Sequence, residues 1–441
     1  MKIPMSPPKL TEIMLKLKPS DLIRIMDIVS SSLVKDQYLH WDELRYREPP
    51  EGCTLEEWWV GLKLRRLAMV KSIPLCDKHG DSFLFTQPDP VLEALYSIAL
   101  GAGDSIEIPT EIAEQEKDRY YFTSLIEEAI TSSQLEGAST TRDAAKEMLR
   151  NNRPPRDHSE RMILNNFQTM KRIGELRYED LDTALVLEIH RIITAGTLSD
   201  SKACGRFRIK NEDINVWTEK GLLLHSPPPA SELRDRMKVM CDFANGKTPA
   251  TFVHPALRAI ILHFWLAYDH PFTDGNGRTA RALFYWSMLR SDFWLFEFIS
   301  ISSIIRKAPA QYVRSFLYTE SDDNDLTYFV LGQIKVIMKA MEELVQYVKR
   351  KTKQVRAMEA KLRGVEVLNH RQKALISHAL RHPQHRYSIE SHKRSHNVVY
   401  QTARSDLLNM VERGLLIKNK ISRRLYFSPV PDLNKSLAIL G

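Results

Sequence analysis

The chain has no run of about 18 uncharged apolar residues, the length a helix needs to cross a bilayer. Its first residues, MKIPMSPPKLTEIM, lack the continuous apolar stretch of a secretory signal. Membrane-spanning and secreted classes are therefore set aside, and a cytoplasmic location is expected. Cysteine is also scarce: Cys53, Cys76, Cys204 and Cys241 stand far apart with no CxxC spacing. That argues against a thiolate zinc site and against a disulfide framework, and reduced thiols are expected. No internal repeat and no low-complexity tract occurs, and loops are punctuated by proline (PPK, REPPEG, RPPR, SPPP) more than by glycine.

What is present is enough apolar material for packed cores, 43% of 441 residues, a length that suggests two or three domains. The charge is unevenly placed. From Arg350 to Phe427 there are 18 Lys or Arg against five acids, a net +13, so the total of +8 leaves the rest of the chain at −5. An acidic body with a basic tail points to a polyanion partner for the tail alone, duplex DNA being the usual candidate.

The pattern between the loops is mainly helical. Residues 52–72 open on a Thr-x-x-Glu capping box at Thr54 and Glu57 and continue with helix-period apolar positions at Trp58, Leu62, Leu67 and Val70. SFLFTQ, 82–87, is a candidate strand. HPALRAIILHFWLAY, 254–268, is apolar on nearly every face except at Arg258 and His263, which predicts a helix buried at a domain centre. His254 and His263 are read as structural members of that helix. Residues 326–363 predict one long helix leading into the tail, where RQKALISHAL, YSIESHKRSHN and VYQTARSDLLNMVERGLL precede the basic IKNKISRRLYFS. Three helices and a basic hairpin are the pattern of a winged helix-turn-helix, with Gly414 ending the third helix and Arg423 and Arg424 on the wing; Arg404 falls on its recognition helix.

The chemistry concentrates in HPFTDGNGRTAR, 270–281. Pro271 disfavours helical dihedrals at His270, so the central helix ends there with the imidazole at its C-terminal boundary. Asp274 is a hard oxygen donor suited to Mg²⁺. Gly275, Asn276 and Gly277 form a short loop emptying into a second helix, whose first N–H groups face an anion such as phosphate. Arg278 and Arg281 are three apart, on one helical face, where two guanidiniums can clamp phosphate oxygens. A base, a magnesium ligand and a polyphosphate cradle describe a nucleotide-using transferase or hydrolase. A metallohydrolase is disfavoured by the single local histidine.

HPFTDGNGRTAR resembles the HPFxDGNGRxxR signature of the Fic family at every specified position. The resemblance implies a Mg-ATP-dependent transfer of AMP to a Ser, Thr or Tyr hydroxyl of a target protein. His270 would be the general base, Asp274 the Mg²⁺ ligand, and Gly275–Gly277 the anion hole. Asn276 would fix the α-phosphate, and Arg278 and Arg281 would neutralise pyrophosphate. SSQLEG, 132–137, is similar to the family's inhibitory pattern, making Ser132, Glu136 and Gly137 regulatory and pairing Glu136 with Arg281; the same glutamate is a candidate for positioning a water to remove AMP. INVWTEKGLLLHSPP, 214–228, resembles the flap hairpin that registers the target segment, with Val216, Trp217 and Leu223 as its contact residues. GRFR, 205–208, suits the run into that flap. Family members often carry an asparagine and paired tyrosines downstream, whereas IIRKAPAQYV, 304–313, keeps only Tyr312.

The expected architecture is mainly α: a helical extension over 1–110, a Fic domain over 111–345 with an inhibitory helix near 120–137 and a β-hairpin flap, a helical linker over 346–365, and a winged helix-turn-helix over 366–430. A homodimer is suggested by the family. Two functions compete: the adenylyltransferase autoinhibited by Glu136, and a DNA-binding regulator whose Fic body serves as sensor or scaffold.

Overall fold

The computed structural model describes residues 3–31, 38–102, 114–212, 214–218, 220–365, 367–381, 385–421 and 424–440. It divides into two compact units, Met1–Leu344 and Val345–Gly441. Among the described residues, no helix is long and apolar enough to cross a membrane.

The first unit is built around a pair of buried antiparallel-type partners, helices Pro255–Asp269 and Asn276–Arg290. Pro255 at the first helical position, with its fixed φ, and the His254 side chain accepting from Ala256 N (3.2 Å) start the first of these. Every residue of it except Pro255, Arg258 and Ala267 is buried, as the all-round apolar pattern requires. Arg258, the polar exception, donates to the carbonyls of Phe243 and Thr248. His263 meets the Tyr312 hydroxyl at 2.9 Å. Helices Glu114–Leu135, His158–Leu176, Thr183–Thr194 and Leu233–Ala244 pack on this pair, and Ile301–Lys307 packs on the first of them. Each fully buried Leu, Ile or Phe removes enough apolar area from water to contribute about 1.5–3 kcal/mol.

The N-terminal part is helical as the pattern predicts, with the Thr54–Glu57 capping box formed in both directions. The helix, however, is Leu55–Leu67 and stops short of Val70. Lys71–Cys76 is instead a strand that pairs antiparallel with Ser82–Phe85. Its run of Ile73, Pro74 and Leu75 alternates buried and less buried positions, a two-residue period hidden by the helical pattern before it. Phe83 of this hairpin packs edge-on against Phe264 and Tyr268, close to the C-terminal end of the central helix.

One helix runs from Thr327 to Gly364. The second unit contains helices His370–Arg381, Ile389–His396 and Tyr400–Glu412 and a three-stranded antiparallel sheet, with Arg424–Pro429 between Tyr387–Ser388 and Leu416–Ile421. Gly414, at φ 68°, follows the third helix. Asp406 ties the unit together: it accepts from Arg371, Asn369 and His392. A further helix, Leu433–Leu440, lies beyond the 430 boundary drawn from sequence and contributes Leu433 and Leu437 to the core.

Candidate active site

His270 terminates the central helix in the left-handed conformation, φ 44° and ψ 56°. The pre-proline rule anticipates the break but not this geometry, since it favours extended backbone. A non-glycine residue there costs about 1–3 kcal/mol and persists only where its surroundings hold it. They do so through Arg208, which was not singled out beyond its place in GRFR. Its Nε donates to His270 O (2.9 Å), its backbone N–H to Pro271 O (2.9 Å), and Nη2 to the carbonyls of Pro228 and Asp269. A guanidinium at a helix C-terminus also complements the dipole.

The His270 ring is shielded, and its Nδ1 lies 3.3 Å from Ala267 O. A carbonyl only accepts, so Nδ1 carries the proton and Nε2 keeps its lone pair. Burial pushes the His270 pKa down to about 4, the hydrogen bond to Ala267 opposing it only in part. The ring is thus neutral at pH 7 and able to accept a proton.

The loop after Pro271 is clasped on two sides. Asn276 Oδ1 accepts from Phe272 N (2.9 Å) and its Nδ2 donates to Phe272 O (2.8 Å). The Asn276 amide thus braces the loop at the place where the resemblance puts the α-phosphate. His190, unremarked in the sequence, stacks on Phe272 at 3.7 Å and 3°. Its Nδ1 accepts from Gly205 N (3.1 Å), so Nε2 is the donor to Asp274 O (2.9 Å). Burial lowers its pKa to about 4 and keeps that neutral tautomer. Gly275 has φ 83°, and a Cβ there would come within 2.8 Å of Thr194 Cγ2, so glycine is required twice over.

Gly275 caps helix Asn276–Arg290 without any side-chain cap, leaving the first N–H groups of the helix open to an anion. The Asp274 carboxylate is half exposed; one oxygen accepts from Gly275 N (2.6 Å) and the other lies 3.4 Å from Arg278. No cluster of three metal-ligating side chains exists among the described residues. A single hard carboxylate beside a phosphate-sized cradle fits Mg²⁺, which keeps several waters and takes further ligands from phosphate, better than a metal needing an all-protein cage.

The two arginines have different protein partners. Arg278 is buried, donates to Ile193 O (3.3 Å), reaches Asp274, and leaves Nε without a partner. Arg281 turns the other way. Its Nε donates to Ser132 Oγ (2.9 Å), and Nη2 to Ser132 O (3.0 Å) and Glu136 Oε1 (2.8 Å). Burial works against the Arg281 charge, and Glu136 with its neighbours more than offsets it, so the pKa lies above its ordinary value. Ser132, Glu136 and Arg281 are therefore brought together, and Glu136 is not a free surface carboxylate. A Cβ on Gly277 would sit 2.1 Å from Glu136 Oε1, so this glycine is what lets the carboxylate close over the helix start.

Helix Glu114–Leu135 aims Glu136 by two devices. Gly137, at φ 94°, turns the chain out of the helix, with Gly137 N donating to Gln134 O and Ala138 N to Ser133 O. Glu128, buried and four residues before Ser132 on the same face, accepts from Tyr285 Oη (3.0 Å), Ser300 Oγ (2.7 Å) and Ser302 N (3.1 Å). No sequence signal separated Glu128 from an ordinary helix acid.

The expected flap is a hairpin in which Val216 pairs with His225 and Trp217 with Leu223. Trp217 and Leu223 are exposed at 55% and 43%, and Val216 is partly buried. His225, another residue missed, fastens the hairpin: Nδ1 meets Glu320 Oε2 and Nε2 meets Tyr268 O, both at 2.7 Å. Arg404 is exposed on helix Tyr400–Glu412 in the second unit; Arg423 and the side chain of Arg424 lie outside the described residues.

Residues 180–288 match the model of the Fic/DOC family. The chain is 28% identical over 222 residues to "Protein adenylyltransferase Fic" of Nematostella vectensis, covering 49% of this chain and 47% of the relative. It is 32% identical over 116 residues to "Protein adenylyltransferase fic-1" of Caenorhabditis elegans, covering 26% and 21%. The chain thus spans less than half the length of these curated relatives. Among solved structures, a Fic family protein from Desulfovibrio desulfuricans G20 shares the fold, with a TM-score of 0.51 at 19% identity over 77% of this chain and 96% of that one.

The site geometry makes a direct prediction about protonation. A histidine-resolved NMR titration should place the His270 midpoint near pH 4 rather than at the ordinary 6.5. A midpoint between 6 and 7 would contradict the claim that burial keeps this ring neutral.

Proposed function

We propose that the chain, whose residues 180–288 match the Fic/DOC family model, is a protein adenylyltransferase, moving AMP from Mg-ATP to a hydroxyl of a target protein and restrained by Glu136. The observation that carries this reading is the pairing of a neutral His270, its Nε2 lone pair free, with an uncapped helix start whose Arg281 is held by Glu136. That the similar proteins of Nematostella vectensis and Caenorhabditis elegans are protein adenylyltransferases supports it.

In the proposed reaction, His270 Nε2 takes the proton of the acceptor hydroxyl as its oxygen bonds to the α-phosphorus. The bond from that phosphorus to the β-phosphate bridging oxygen breaks, and pyrophosphate leaves. Backbone N–H groups of the Asn276–Arg278 turn hold the phosphates, with the Asn276 side chain serving to keep that turn in shape. Asp274 would hold Mg²⁺, which supplies charge neutralisation across the phosphates. Arg281, once released from Glu136, pairs with the terminal phosphate. Exposed Trp217 and Leu223 on the flap meet the target segment as an added strand.

With α-labelled ATP, Glu136→Gly should raise label on protein at least tenfold over the parent chain, and His270→Ala should abolish it in either background. Equal labelling with and without Glu136 would remove the inhibitory assignment; no labelling in Glu136→Gly would favour the regulator reading.

The second unit is read as a winged helix-turn-helix that meets duplex DNA through helix Tyr400–Glu412, supported by the net +13 of the tail and by exposed Arg404. Arg404→Ala should weaken duplex binding several-fold and lower the slope of log affinity against log salt by about 1. Salt-insensitive binding, or none, would refute it.

A further inference from the structure

A cavity of about 460 Å³ opens between residues 38–43, helices Ile301–Lys307 and Pro309–Ser321, and the start of helix Thr327–Gly364. That volume lies within the roughly 300–1,000 Å³ of small-molecule sites. None of residues 270–281, the flap or Glu136 lines it, although Tyr312 belongs both to its wall and to the packing around His263.

The interior is aromatic. Tyr38, Tyr318 and Tyr328 line it, and His40 stacks on Tyr318 at 4.1 Å and 7°. Two of the three phenols are committed, Tyr38 to Asp325 (2.8 Å) and Tyr328 to Asp322 (2.7 Å). Tyr318 is 7% exposed; its hydroxyl has no partner at ordinary hydrogen-bond distance among the described residues, the Glu43 carboxylate being the acceptor that acts on it from nearby. So loose a contact leaves this hydroxyl able to donate to a polar ligand atom at closer range. Burial, reinforced by the charge of Glu43, raises the Tyr318 pKa, so the group remains a protonated donor.

The mouth is basic. Lys307, Arg314, Lys335 and Lys339 surround it against the single acid Glu43. Lys307 is paired with Glu343, but Arg314, Lys335 and Lys339 form no ion pair among the described residues. Lys335 and Lys339 stand four apart on one helical face, a like-charge arrangement that opposes itself unless an anion lies between. Gln311 and Gln333 add amides that can read ring heteroatoms.

We propose that this cavity binds a planar aromatic phosphate monoester, the class that includes nucleoside monophosphates. The phosphate sits among Arg314, Lys335 and Lys339, and the ring enters the tyrosine-lined interior toward Tyr318. The site stands on the cavity alone and not on the AMP-transfer reading.

Isothermal titration of the full chain with AMP and, separately, with phenyl phosphate tests it. At least one probe should bind with a component that Lys335→Ala/Lys339→Ala weakens tenfold or more, Tyr318→Phe weakens about threefold, and Asp274→Ala leaves unchanged. The two lysines are exposed, so the double variant should keep the parent's melting temperature. Tighter binding of AMP than of phenyl phosphate assigns the ligand to nucleotides; equal binding assigns it to simple aryl phosphates. Absence of binding by both probes, or binding indifferent to the lysine pair, overturns the proposal.

Discussion

The contact between Arg281 and the Ser132–Glu136 turn is the constraint on which the state of this site depends. It joins residues 149 and 145 positions apart and sets a carboxylate over the start of helix Asn276–Arg290, where the proposed reaction puts a phosphate. A buried cation stripped of its partner costs about 3–5 kcal/mol when nothing replaces it. The Glu136 side chain is 28% exposed, which places this contact below that range. The same arithmetic makes Arg281 a strong acceptor of a substitute anion. In the proposed function, restraint and substrate binding are two uses of one guanidinium, and Glu128, anchored to Tyr285, Ser300 and Ser302, holds the Ser132–Glu136 turn in register for the first use.

The remainder of the site is rigid before any ligand arrives. Arg208 holds His270 in its left-handed conformation, Asn276 and His190 clasp Phe272 and Asp274, and Gly275 admits Thr194 against the loop. Strain at His270 is stored where the chemistry is proposed to occur, and the groups that maintain it touch backbone carbonyls rather than substrate. Such contacts, none of which involves Glu136, preorganise His270 and the start of helix Asn276–Arg290 relative to each other.

Much of this was legible in the sequence because long, strongly patterned stretches leave few alternatives. The all-round apolar helix before His270 and the Thr54 capping box appear where the residues place them, and Glu136 meets Arg281 as the family resemblance implies. What escaped notice shares a physical character. His190, Arg208 and His225 are single polar residues in otherwise ordinary surroundings, and their roles arise from loops brought against them by tertiary packing. The loop contacts of Asn276 were not legible, since a motif shows that an amide is needed and not which atoms it satisfies. The strand Lys71–Cys76 was hidden because a two-residue period over six residues is a weak signal beside the preceding helix.

The central claim is that Glu136 withholds Arg281 from the nucleotide, and calorimetric titration of Mg-ATP tests it without depending on any target protein. The account predicts that Glu136→Gly binds Mg-ATP about tenfold or more tightly than the parent chain, and that adding Arg281→Ala to Glu136→Gly removes the gain. A gain that survives loss of Arg281, or no gain in Glu136→Gly, would contradict it.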